Sequence, residues 1–138
     1  MPKKPLRPLA RTKIAINRTS YVNVCVWNDE RGVRQAWYKG DRKAKKHENV
    51  FAFFGWLWTR SHDGKKIIGD IHLGAAYIGS GVVAHEIQHV ILRWCQSAGW
   101  NFEDEKYQEP IAELAEKLTR RFWTWYWKPE NKKIKLFS

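Results

Sequence analysis

The period of the apolar residues changes once, near Ser80, and that change limits the folds open to this chain. Upstream, apolar residues come in short β-branched and aromatic runs, of which Tyr21-Val22-Asn23-Val24-Cys25-Val26-Trp27 is the clearest strand signal. Downstream, Val82, Val83, Ile87, Val90, Ile91 and Trp94 recur near helical spacing, with Ser80 as N-cap and Gly99 as C-terminal stop. A second helix is expected from about Pro110, a residue suited to a first turn. Its stripe is Ile111, Leu114, Ala115, Leu118, Phe122 and Trp125. Strands first and two helices after predict an α+β domain, with an antiparallel or mixed sheet of about four to five strands.

The intervening segments fill in this outline. NDERG reads as a turn and Val33 to Tyr38 as its hairpin partner strand. KGDRKAKKHENV is a basic loop carrying His47, and VFAFFGWLWTR is a dense apolar run expected to be a buried strand. SHDGKK predicts a hairpin turn with Asp63-Gly64 at its tip, and KIIGDIHLGAAYIG one or two further strands. Residues 1–10 read as a flexible basic arm, 11–128 as one domain, and 129–138 as a basic tail that leaves the helix at Pro129. Cys25 and Cys95, with no CxxC spacing, read as reduced core residues.

Composition narrows the function classes. A hydrophobic content of 43% in 138 residues supports a packed core and excludes a disordered chain. No apolar run is long enough for a transmembrane helix. MPKKPLRPLA lacks the apolar centre of a secretory signal, so a cytoplasmic location is expected. The net charge of +11 favours polyanionic partners, nucleic acid or a nucleic-acid-bound protein among them. Arg120, Arg121 and Lys128 flank FWTWYW, whose aromatics point to all sides of a helix and cannot all be buried. With Trp56, Trp58, Trp94 and Trp100, these residues could stack on bases, although most such residues belong to cores.

HEIQH is the sharpest local signal. His85 and His89 stand at i and i+4, so both imidazoles leave one side of the helix, at a separation that suits two cis ligands of a tetrahedral zinc ion. Glu86 lies roughly 100° further round, placed to act as a general base rather than as a ligand. From Val82 to Ile91 every other residue is uncharged. The bland alternative is two surface histidines on a half-buried helix.

VVAHEIQHVI resembles the active-site helix of the zincin metallopeptidases, whose pattern is HExxH within an uncharged stretch. No histidine follows His89 and Met1 is the sole methionine, which rules out the metzincin continuation with its third His and Met-turn. Glu109, twenty residues after His89 and opening EPIAEL, is similar to the gluzincin arrangement, and Glu-x-x-Ala resembles the glutamate helix of small phage and ImmA/IrrE-like peptidases. The likeness spans residues 82 to 118. It implies a zincin-like fold and a zinc ion held by His85, His89 and Glu109, with Glu86 activating water. Glu113, one turn on, is the rival third ligand, though it is also an i,i+4 partner for Lys117. Peptide-bond hydrolysis would further need an edge strand for extended substrate, for which IIGDIHLGAAYIG is the expected segment. It would also need a transition-state donor, from Tyr107, Tyr77 or His72. The alternatives are a non-catalytic zincin-like module that binds nucleic acid or an associated protein, and a phage-type inhibitor that sequesters a host partner.

Overall fold

Alternation decides the sheet. In β2 (Ser20–Trp27), Val22, Val24 and Val26 are buried on one face, while Asn23, Cys25 and Trp27 take the other. The computed structural model describes residues 6–40, 52–55, 61–62 and 64–136. Trp56, Trp58, His47 and Asp63 lie outside the described residues.

β1 (Ala10–Ala15) pairs antiparallel with β2, and β2 pairs in parallel with β5 (Lys65–Gly74). β3 (Ala52–Gly55) and β4 (Ser61–His62) each pair antiparallel with β5, giving a mixed five-stranded sheet in the order β1-β2-β5-β3 with β4 to one side. Gly64, at φ +72°, sits in the β4–β5 turn where the hairpin was expected. The α+β class thus holds. β5 is interior over most of its length, so the expectation that IIGDIHLGAAYIG forms an edge strand is corrected; β1 and β3 hold the edges.

Residues 30–40, expected in part as a hairpin strand, form helix α1 (Glu30–Gly40) instead. The local chemistry explains the change. The Asp29 carboxylate accepts the Arg31 backbone N–H at 2.9 Å, an N-terminal cap that a strand has no use for. Val33 and Trp37, four apart, then share a face against the sheet: Val33 is fully buried and Trp37 meets Phe53 edge-on at 5.1 Å. Gly32 permits the approach, since a Cβ there would lie 2.3 Å from the Trp27 ring.

The other face of the sheet carries α2 (Ser80–Ala98) and α3 (Glu105–Tyr126). Val83, Ile87, Val90, Leu114, Leu118 and Phe122 meet Val22, Val24, Val26, Ile71 and Leu73 in one core. α3 begins five residues before Pro110, because the Asp104 side chain accepts the Lys106 N–H at 3.1 Å and caps the helix there. The ring then falls in the second turn, and the helix tolerates one missing donor. Beyond Tyr126 the chain is not a loose tail. A 3₁₀ turn and α4 (Lys132–Lys135) fold back, burying Ile134 completely, and Asn131 donates to the Trp125 carbonyl at 2.7 Å. Likewise Leu6 to Leu9, expected within a flexible arm, are tied down: Leu9 N–H donates to Val26 O at 2.7 Å and Leu6 exchanges bonds with Gln35.

Candidate functional site

α2 starts after Gly79, in extended conformation, whose carbonyl accepts the Val83 N–H at 3.0 Å. Its nineteen residues end at Gly99 in the left-handed region. Val83, Ile87, Val90, Ile91 and Cys95 face the core, which turns residues 85 and 89 outward. The two imidazoles converge there: His85 Nε2 and His89 Nε2 are 3.2 Å apart, with ring centroids at 4.9 Å and planes at 76°. Left to themselves they can share one proton, one nitrogen donating and the other accepting. Two donors about 2.05 Å from a tetrahedral metal lie about 3.3 Å from each other, so the separation of the pair is also that of two ligands on one ion.

Glu86 occupies the boundary between the two faces of α2. Its side chain is 5% exposed against 68% for His85, and Oε1 lies 3.9 Å from His85 Nε2. Oε2 is buried with no hydrogen-bond partner among the described residues. Burial raises the carboxyl pKa above its ordinary value, and the neighbouring His85 opposes that only in part.

The remaining expected ligands are not gathered at this point. Among the described residues no group of three or more His, Cys, Asp or Glu side chains is disposed to hold a metal ion. Glu109 and Glu113 are exposed on α3, away from the buried stripe of Leu114, Leu118 and Phe122. The three donor candidates are also dispersed. Tyr77 ends the 3₁₀ turn Ala75–Tyr77 just ahead of α2 and is partly exposed. Tyr107 stacks on Trp100 at 5.7 Å, beside the α2–α3 connection. His72 alternates with the core residues Ile71 and Leu73 and so faces the opposite side of the sheet from α2.

His72 belongs to a second constellation that the sequence reading did not assemble. Its Nδ1 accepts from Trp27 Nε1 at 3.1 Å, and its ring stacks on Phe53 at 4.6 Å. Burial lowers its pKa to about 4, although Asp70 pulls the other way. Asn23 Nδ2 donates to Asp70 Oδ1 at 2.8 Å, and Cys25, its pKa pushed to about 11 by burial, lies between. These side chains with Arg11 and Lys13 line an open cavity of about 500 Å³. The signal was available in the alternation: Asn23, Cys25 and Trp27 interleave with three valines, as Asp70 and His72 interleave with Ile71 and Leu73. Pairing β2 with β5 was needed to bring the two rows together.

Arg120 and Arg121, late in α3, and Lys128, two residues beyond its end, are brought together beside β1. Comparison with known proteins found no matching family model, no similar curated protein and no similar solved structure. No helix among the described residues is long and apolar enough to cross a membrane.

Proposed function

We propose that this chain is a small zincin-like metallopeptidase of the gluzincin type. The observation that supports it best is the 3.2 Å approach of His85 Nε2 to His89 Nε2, with the buried, half-satisfied carboxylate of Glu86 beside them. His85 and His89 would hold a zinc ion, and Glu109 from α3 would complete the set, with Glu113 as its rival. When bound, zinc supplies Lewis acidity that polarises a carbonyl and acidifies water. Glu86, through Oε1 on the His85 side, would accept the proton of the attacking water and return it to the leaving amine, a role matched to its raised pKa. β3, an edge strand against which α2 packs, offers backbone groups to an extended peptide substrate.

The test is elemental analysis of the protein, purified without a polyhistidine tag, as wild type and as His85→Ala, Glu109→Ala and Glu113→Ala. Zinc near about one per chain is expected, lost in His85→Ala and in Glu109→Ala. Glu86→Gln should keep the metal and lose about 10²-fold or more in peptide hydrolysis. Wild-type protein that takes up no zinc on reconstitution would sink the proposal and leave HEIQH as an outward turn of a core helix.

A further inference from the structure

The edge strand β1 and the C-terminal half of α3 enclose an open groove of about 330 Å³. Three of its lining residues are cationic, namely Arg120 and Arg121 from α3 and Lys128 two residues beyond its end, and none is acidic. Thr12 and Thr124 add neutral polar residues. Arg121 is anchored by donating to the Ala15 carbonyl, and beside the groove Lys117 Nζ donates to the Ile16 carbonyl at 2.9 Å. Arg120 is 3.3 Å from Glu116, an exposed i,i+4 pair that gives way to a stronger anion at little cost.

We propose that this groove binds the phosphate backbone of single-stranded nucleic acid. Three cations with no carboxylate among them suit a row of phosphates. Residues 120 to 126 alone extend about 9 Å along the helix, more than one small anion can occupy. A concave track admits one strand and is a poor match to the flat surface of a bilayer. A peptide strand adding to β1 is disfavoured because carbonyls at the end of that strand already accept from Arg121 and Lys117. Across β1, Lys13 and Arg11 carry positive charge on the opposite face of the sheet. Nothing in this assignment depends on a metal at His85 and His89.

Fluorescence anisotropy with a labelled oligothymidylate, on the full chain, tests it. Three phosphate contacts give a slope of about −2.1 for log K against log salt, or roughly a 20-fold loss of affinity between 50 and 200 mM. Arg120→Ala combined with Lys128→Ala should cut that slope by about two thirds and weaken binding at least about tenfold at 50 mM. Lys132→Ala with Lys133→Ala, exposed residues outside the groove, removes the same charge and should change binding by less than about twofold. Vesicles containing phosphatidylserine serve as the competing probe. Equal losses in the two double variants would overturn the assignment in favour of undirected attraction by the net charge. Absence of oligonucleotide binding at 50 mM salt, or retention on vesicles alone, would overturn it as well.

Discussion

Glu86→Met should make the metal-free protein more stable, although it removes the residue on which the proposed chemistry turns. Glu86 is 4% exposed, and its Oε2 has no partner. A buried polar group left without a hydrogen bond costs about 1–3 kcal/mol, and methionine fills a similar volume with no polar atom. The gain should therefore be about 1–3 kcal/mol, or roughly 3–12 °C in Tm for a domain of this size. The pH dependence separates this account from a simple gain in hydrophobicity. Glu86 has a folded-state pKa raised above the unfolded one. Well below the ordinary carboxyl value of about 4.3 both states are protonated, and the charge costs nothing. As pH rises from there through the folded pKa, the unfolded chain ionises freely while the native carboxyl does so only at a penalty, so wild type loses stability. The difference between Glu86→Met and wild type should accordingly be smaller at pH 4, where only the unpaired oxygen of the neutral carboxyl counts, and largest near pH 8. Chemical denaturation of chelator-treated protein at several pH values measures it. A variant less stable than wild type at pH 8, or a difference that shrinks as pH rises, would refute the reasoning: the carboxylate would then be a satisfied structural group.

Three further outcomes follow from the same coordinates. His72 should titrate near pH 4 by NMR and, because its folded pKa lies below the unfolded one, cost the protein up to roughly 3 kcal/mol as pH falls from about 6.5 to 4; a midpoint near 6.5 would mean the ring is solvated. Gly99→Ala forces φ +72° on a residue with a Cβ and should destabilise by about 1 kcal/mol in urea unfolding, with no change in metal content. Ile134→Ala, at a fully buried position in α4, should cost about 2–5 kcal/mol; a cost near zero would restore residues 129–138 to the status of a tail.

The two halves of the chain were not equally legible. α2 could be read closely because apolar spacing, Gly99 and the uncharged run all act within one helix, and local signals need no partner. The two ends and residues 33–38 misled for the opposite reason. Val33 and Trp37 fit a strand as readily as a helix, and the Asp29 cap that decides between them is a single carboxylate on a single N–H. The burial of Ile134 depends on where α3 leaves the chain, a tertiary fact invisible in WKPENKKIKLFS. The role first assigned to IIGDIHLGAAYIG failed because edge or centre is a property of strand order, and the parallel partnership of β2 with β5 spans some fifty residues of sequence. Among site residues, the histidine pair and Glu86 were fixed by helical geometry alone, whereas Glu109, Tyr77, Tyr107 and His72 required the placement of separate elements.

That contrast bears on how much of the HEIQH geometry one helix determines by itself. Steps of about 100° put residue 89 some 40° from residue 85 and put residue 86 well to one side of both. Once Val83, Ile87 and Val90 commit the opposite face to the core, the positions of the other three follow: the two histidines must point outward and the glutamate must fall on the seam. One geometric rule therefore delivers accessible nitrogens and a desolvated carboxylate together. The apolar residues that fold α2 onto the sheet also raise the Glu86 pKa, so stability of the helix and the perturbed carboxyl have a common origin. Shifting Glu86 by one position in either direction would uncouple them, sending the carboxylate either into the core beneath Ile87 or out beside His85 into water. A transposed variant, Glu86→Ala with Ala84→Glu, puts the carboxyl on an exposed turn. It should retain whatever metal the histidines hold, and its carboxyl should return to an ordinary pKa with no hydrolysis. Hydrolysis by that variant would show that burial of the base is incidental.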